Sequence, residues 1–355
     1  MTEAMQPTSI DELADAVRSA PRVMAVGAGT KPRLSLVGPE FARISTAKLT
    51  GIIDYEPSEF TFTALAGTPL REIKEVLGRS GQYLPFDPAW VEAGATLGGT
   101  VAAGVSGPGR FRFGGVRDFI LGVRFVDGAG RSLRLGGRVV KNAAGFDVPK
   151  FLVGSAGRFA VLGEITFKVF PRAVATRTLR LPVPDLAAAT KILIETGGAR
   201  WEVDALELAL DEPAVIARLA GPPVALEALA REMLARWPGT VLPETEAAER
   251  WRGIGEFQWA HAGGTLVKVA LTPAQVVEFA ALVRSSPGAR GWVSSGGNAG
   301  YLSLPAGTAL PVIAWPAVTL RGEAPLWPGP RRDYDVMRRV KAALDPDQRF
   351  PTLDE

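Results

Sequence analysis

Two glycine-rich stretches, and the cations spread through the second, are where this sequence has the means for chemistry. The first is Val26-Gly27-Ala28-Gly29-Thr30-Lys31-Pro32. The second opens with ATLGGTVAAGVSGPGRFRFGG from Ala95 and continues into KNAAGFDVPKFLVGSAGRFAVLGEITFKVFP. Of the chain's 40 glycines, 17 lie between Gly94 and Gly163, so backbone there can approach a bound group closely and turn through positive φ. The same span carries ten Arg or Lys (Arg110, Arg112, Arg117, Arg124, Arg131, Arg134, Arg138, Lys141, Lys150, Arg158) against Asp118, Asp127 and Asp147. Backbone N–H groups in such turns, set in a positive field, suit the oxygens of a pyrophosphate. Neither stretch has GxxxxGK[ST] spacing, and no GxGxxG opens a helix, so the two standard phosphate fingerprints are absent.

The elements that must hold these loops can be read from caps and periodicity. Ser9-Ile10-Asp11-Glu12 is a capping box that starts a helix through about Arg18, and Arg22 to Val26 is a short apolar strand leading into the first loop. Strands are expected over Gly51 to Tyr55 and Phe60 to Ala66, then a helix over Leu70 to Gly78 behind Thr68-Pro69. Thr96 to Ala103 reads as a short helix. A hairpin joins Ile120 to Val126 with Arg131 to Leu135, and Phe159 to Phe170 is the last strand before Pro171. Beyond it the chain turns to Ala- and Leu-rich helices alternating with strands. Strand Arg177 to Pro182, helix Asp185 to Glu195 and strand Val203 to Leu210 recur in type as Thr265 to Leu271, Pro273 to Ser285 and Trp292 to Leu304, with a helix from Pro223 to Trp237 between them. The expectation is an α+β protein of two domains, 1–172 and 173–355. The second is an antiparallel sheet with helices on one face, and the C-terminal segment, which holds a helix over Arg332 to Leu344, is free to return to the first domain.

Composition narrows the classes. With 47% hydrophobic and 22% charged residues the chain has ample core material and is not disordered. Zero cysteines exclude disulfides, iron–sulfur clusters or thiolate zinc held by this chain, and any cysteinyl cofactor bond. A net charge of +3 without basic runs or aromatic stacking motifs argues against nucleic-acid binding. No apolar run approaches the roughly 20 residues that span a bilayer, and MTEAMQPTSIDELADAV lacks a signal pattern. The cytoplasm is the expected compartment, with contact to the inner face of a membrane only through partners.

The order GAGTKP, ATLGGTVAAGVSG, FGGVRDFILGVRFVDGAGR and VVKNAAGFDVPKFLVGSAGRFAVLGEITFKVFP, over about residues 6–172, resembles the FAD-binding domain of the vanillyl-alcohol oxidase/PCMH flavoproteins. Within that family it is similar to the FAD-binding subunits of bacterial glycolate oxidase complexes. The resemblance implies a PCMH-type FAD domain of two subdomains followed by an α+β cap. It also implies a role in oxidising glycolate or D-lactate beside a paralogous flavoprotein subunit and an iron–sulfur subunit. By the same resemblance, Gly27, Ala28, Gly29, Thr30 and Lys31 match the loop that holds the FAD pyrophosphate. Thr96, Leu97, Gly98 and Gly99, with Gly104, Ser106 and Gly107, match the loop beside the ribityl chain and flavin ring. Gly114, Gly115 and Asp118 match a G-x-x-R-D turn. Gly157, Gly163 and Ile165 match the segment bordering the adenine, with Asn142 and Asp147 fixing the loop before it. Taken singly, these glycines serve tight turns, and Asp118 and Asp147 read equally well as helix caps.

Chemistry is harder to place than binding. Flavin oxidation of a 2-hydroxy acid needs a cation for the carboxylate and a base for the hydroxyl proton. His261 in QWAHAGG is the sole histidine, and a lone His among aromatic and small residues reads as structural. Arg110 and Arg112 are candidate carboxylate clamps or surface cations. Related D-2-hydroxy acid dehydrogenases that work as one polypeptide carry an H-x-G-D-G-N metal motif. Here Ser294-Ser295-Gly296-Gly297-Asn298-Ala299-Gly300 keeps glycines and Asn298 but no His or Asp, so no metal is expected. With no cysteine, and no histidine in the loops, FAD is expected to be non-covalent. The end DPDQRFPTLDE departs from the family's terminal D-P-x-x-x-x-N-P-G, and no catalytic residue is assigned. Two other readings stay open: an independent FAD oxidoreductase acting on an alcohol or hydroxy acid, and a non-catalytic scaffold.

Overall fold

The computed structural model describes residues 3–137 and 146–355 and divides them into two compact units. The first comprises Met1–Ser106, Gly115–Pro171 and Arg331–Glu355; the second comprises Gly107–Gly114 and Arg172–Pro330. Asn142, expected to fix a loop, lies outside the described residues.

In the first unit, Ser9 Oγ accepts from Glu12 N at 3.1 Å and starts the helix Ile10–Arg18. Acids in its first turn and Arg18 in its last complement the helix dipole. Leu13 and Val17 are fully buried on one face, at the period a helix requires. That face lies on a five-stranded antiparallel sheet in the order Ile52–Glu56, Thr61–Leu65, Val161–Lys168, Ile120–Val126, Ser132–Gly136. A Cβ at Gly163 would sit 2.4 Å from Ile10 Cδ1, so this glycine lets the helix close onto the sheet. The expected single strand over Phe159 to Phe170 is instead Val161–Lys168, followed by a separate short strand Phe170–Pro171 that pairs with Gln82–Tyr83. Val23–Val26 pairs in parallel with Ala42–Ser45, apart from the main sheet. The C-terminal segment is part of this unit: Val23 N donates to Arg349 O at 2.7 Å, Gly128 N to Leu344 O at 2.7 Å, and Phe350 is buried in its core.

The second unit is built on an eight-stranded antiparallel sheet, consistent with the α+β class. Its order is Thr240–Val241, Ala175–Pro182, Ala214–Gly221, Val203–Ala209, Arg290–Ser294, Ala299–Leu304, Thr265–Ala270, Ala317–Arg321. The two repeats are therefore split βαβ units, each with a further strand inserted between its parallel pair, and they meet where Leu208 pairs with Val293 and Ala209 with Trp292. One face packs Leu179, Leu181, Val215, Ala217, Leu206, Val293, Leu302 and Val267 against the helices Leu186–Gly198, Pro223–Arg236 and Val276–Ser285.

Two expectations change. Trp292 to Leu304 is not one strand but a tight hairpin, because Ser295, Gly296 and Gly297 take φ of 55°, 64° and 99°, which an extended strand cannot accommodate. Nor are all helices on one face. Glu244–Gly255 crosses the other side, where Trp251 Nε1 donates to Thr178 Oγ1 at 2.8 Å and Arg218 lies over the Trp251 ring. Thr178 and Arg218 alternate with the core residues Leu179 and Leu219, and alternate residues point to opposite faces.

Candidate functional site

The two glycine stretches meet in the first unit around a cleft. The first loop leaves the strand Val23–Val26 with Ala28 and Gly29 exposed and Gly29 at φ 72°. Lys31 then folds inward and is only 7% exposed; its Nζ donates to Thr30 Oγ1 at 2.9 Å and lies 5.0 Å from the centre of the Trp90 ring. A cation held over an aromatic face beside exposed backbone turns is an arrangement for a phosphate.

The second loop touches the first. A Cβ on Gly27 would come within 2.9 Å of Thr96 Oγ1, so glycine there permits the close approach. Thr96 caps the helix Leu97–Ala103, accepting from Gly99 N at 3.2 Å, which leaves its own hydroxyl proton free to donate. Leu97 N donates to Thr68 O at 3.0 Å and Gly98 N to Ala66 O at 2.7 Å. The contribution of this loop is therefore surface without side chains rather than free donors. Gly98 has a second duty, since a Cβ there would meet Ala66 Cβ at 2.7 Å and Ala66 O at 2.9 Å, whereas at Gly99 only Thr96 Oγ1 lies near, at 3.0 Å.

The far wall is Ala156, Gly157 and Ala160 to Leu162. It is tied to the second loop: Gly154 N donates to Val101 O and Ala156 N to Ala102 O, at 2.9 and 2.8 Å. Arg158, 1% exposed, donates to the carbonyls of Leu34 and Ala156, both lining the cleft, and to Glu355 O at 2.9 Å. Burial, with Arg33 adding like charge, pushes its pKa down to about 10.

Of the sequence candidates, Gly27, Ala28, Gly29, Thr30, Lys31, Thr96, Gly98, Gly99 and Gly157 line the cleft. Leu97 is fully buried as the first residue of the helix, and Ile165 is fully buried in the five-stranded sheet beside Gly163. Gly104 ends the helix at φ 59°, where a Cβ would lie 3.0 Å from Gly154 Cα. Ser106 Oγ accepts from Val116 N at 3.1 Å, Asp118 Oδ2 from Gly115 N at 2.8 Å, and Asp147 caps Val148–Phe151. Gly107 and Gly114, the latter at φ 87°, bracket the short helix Arg110–Phe113 of the second unit.

The sequence reading missed Ser35, Thr46 and Ala156, and it counted Arg158 only among the cations of its span, not as an anchor. A signal existed for the last two: Ser155-Ala156-Gly157 turns through positive φ at both Ala156 and Gly157, and a lone arginine follows directly.

Residues 3–136 match the family described as FAD binding domain. FAD is the cofactor that this match supports. The chain is 39% identical over 226 residues to the glycolate oxidase subunit GlcE of Escherichia coli (strain K12), a match covering 62% of this chain and 61% of that one. It is 29% identical over 152 residues to a D-lactate dehydrogenase of Archaeoglobus fulgidus, covering 43% and 34%. The chain therefore spans less than two thirds of the length of these relatives. An alkyldihydroxyacetonephosphate synthase structure superposes on 97% of this chain and 75% of its own with a TM-score of 0.68 at 16% identity, so the two share a fold.

In the second unit three further candidates are engaged. His261 Nε2 is 2.8 Å from Gly288 O, and its backbone N donates to Ser303 Oγ at 2.9 Å. Arg112 pairs with Glu202 at 2.7 Å, and Asn298 Nδ2 closes the hairpin on Ser295 O at 2.8 Å. No helix among the described residues is long and apolar enough to cross a membrane.

Proposed function

We propose that this chain is an FAD-holding subunit of an assembly that oxidises a small 2-hydroxy acid, glycolate or D-lactate, with a paralogous flavoprotein and an iron–sulfur protein as partners. The observation that carries the reading is the joining of the two glycine loops at Gly27, Thr96 and Gly99 around one cleft, taken with the GlcE and D-lactate dehydrogenase relatives. FAD bound there supplies a two-electron acceptor for the hydrogen on the carbinol carbon. The protein's own part is to hold it. In this reading the turn from Gly27 to Lys31 offers backbone N–H groups and one charge to the pyrophosphate, Thr96 donates its hydroxyl, and Gly98, Gly99 and Gly157 provide flat contact. Gly104, Ser106, Asp118 and Gly163 shape the loops, and Arg158 fixes the wall through Leu34 and Ala156.

The test is recovery of the affinity-tagged chain from cells. Acid precipitation should release FAD into the supernatant, a second flavoprotein and an iron–sulfur protein should accompany the chain, and anaerobic glycolate or D-lactate should bleach the flavin of that assembly. A lone chain with full turnover would replace this reading with an independent oxidoreductase. A chain that stays colourless after reconstitution with FAD would make it a scaffold.

A further inference from the structure

One short stretch of the C-terminal segment grips two walls of the cleft from behind. Its turn from Asp345 to Phe350 is organised by the Asp345 carboxylate, 1% exposed: Oδ1 accepts from Arg349 N at 2.8 Å and Oδ2 from Phe350 N at 3.0 Å. The turn is seated on the hairpin that joins Ile120–Val126 to Ser132–Gly136. There a Cβ on Gly128 would meet Asp345 Cα at 2.7 Å, and Gly128 N donates to Leu344 O at 2.7 Å.

From that seat the turn reaches the strand that leads into the first glycine loop. Arg349 O accepts from Val23 N at 2.7 Å, and Arg349 Nη1 donates to Ala20 O at 2.7 Å. These bonds fix the start of Val23–Val26, whose Met24, Ala25 and Val26 line the cleft. Phe350 packs in the same core cluster as Val23 and Val161.

The opposite wall is held by Lys341, in the last turn of the helix Tyr334–Leu344. Its Nζ donates to Arg158 O at 2.7 Å, to Phe350 O at 3.2 Å and to the Asp345 carboxylate, so all three ammonium protons have acceptors. The Arg158 carbonyl ends the turn in which Ala156 and Gly157 line the cleft at φ of 49° and 75°. An alanine in the left-handed region persists only where its surroundings fix it. Here Ala102 O holds the Ala156 N–H, the Arg158 guanidinium holds the Ala156 carbonyl, and Lys341 holds the carbonyl of Arg158. Lys341, Asp345, Arg349 and Phe350 stand behind the lining residues rather than among them.

We propose that Lys341–Phe350 is a clasp for the cofactor cleft, in which Lys341 and Asp345 are positioning residues that set how long FAD stays bound. Both walls are tied to one segment, so loosening it frees both at once. By linkage, FAD bound between those walls makes the clasp harder to open by the same factor that a closed clasp tightens FAD. The proposal rests on the reading that FAD occupies this cleft.

The full-length chain loaded with FAD is diluted and flavin release is followed by fluorescence, alongside amide hydrogen exchange of Lys341–Phe350 with and without FAD. Lys341→Met and Asp345→Asn should each speed release about tenfold or more, the equivalent of one hydrogen bond to a charged group. In the parent, FAD should slow exchange across Lys341–Phe350, and in Lys341→Met that protection should disappear. A segment that only stabilised the fold would lower the melting temperature of the FAD-free variants and leave release and protection as in the parent. Should Asp345→Asn fail to fold, Lys341→Met, on a helix with no buried residue, still decides the matter. Release from Lys341→Met at the parent's rate, or exchange that FAD leaves unchanged in the parent, overturns the proposal. If Gly99→Leu loses FAD while Lys341→Met releases it normally, the clasp fails and the cleft reading stands. FAD retained by Gly99→Leu, or a parent chain that takes up none, refutes the cleft reading and the clasp that rests on it.

Discussion

Replacing Glu207 with Gln should change how the stability of the second unit depends on pH, and the direction follows from burial. Glu207 is fully buried, and desolvation pushes its pKa from 4.5 up to about 7, against the three hydrogen bonds and the Arg218 charge that pull it down. Between about pH 4.5 and 7 the folded chain therefore keeps a proton that the unfolded chain has released. Stability then falls as pH rises through that window and is level on either side. The rise from 4.5 to about 7 corresponds to about 3 kcal/mol. For a unit of this size that amounts to roughly 6–12 °C in melting temperature. Glu207→Gln removes the titration but also misplaces an amide donor, so its absolute stability is no guide. The informative quantity is the difference between parent and variant at pH 5 compared with pH 8. Tryptophan fluorescence isolates the relevant transition, since all of the eight tryptophans except Trp90 lie in the second unit. The parent should lose about 3 kcal/mol relative to the variant between the two pH values. Parallel pH profiles would refute the argument and mean that the three donors hold Glu207 ionised throughout.

Gly99→Leu is expected to fold normally and lose FAD, because only Thr96 Oγ1 stands near the new side chain and the rest must enter the cleft; released flavin per chain and melting temperature report the two effects. Gly98→Leu should lose both, since its Cβ alone meets the Ala66 carbonyl. Arg158→Met should weaken FAD retention and lower the melting temperature of the first unit, by loss of the carbonyl clamp on Leu34 and Ala156. An exposed, mobile Arg158 with FAD retention unchanged would contradict this.

The glycine-lined cleft was legible because its lining is mostly backbone, and backbone that must turn through positive φ or pass within van der Waals reach of another loop leaves glycine in the sequence. Gly27, Gly29, Gly99 and Gly157 each have such a reason. At Gly104, Gly114 and Gly163 the structural reason is a helix end, a turn or a helix lying on a sheet. Spacing alone does not separate a glycine that admits a ligand from one that admits another part of the chain. Arg158 was passed over because a single arginine in a loop normally faces water, and its burial depends on carbonyls 124 and two residues away.

The ionisable face of the second unit was hidden for a different reason. A strand buried on one side alternates apolar with polar residues, so Glu207 in VDALELA and Lys268 in TLVKVA look like solvent-side residues. What distinguishes a covered face from a wet one is the company its residues keep across the sheet. Here the same parity that carries Glu207 and Lys268 also carries Trp292 and Tyr301, 6% and 3% exposed. Large aromatic rings on the nominal solvent side signal that something covers it, but the signal appears only after register has aligned four strands distant in sequence. The helix Arg110–Phe113 completes the point. Its arginines stand next to the second glycine loop in the sequence, yet its Phe111 seats against Gly296 in the second unit. Sequence alone left Arg110 and Arg112 as candidate clamps or surface cations, whereas packing pairs Arg112 with Glu202.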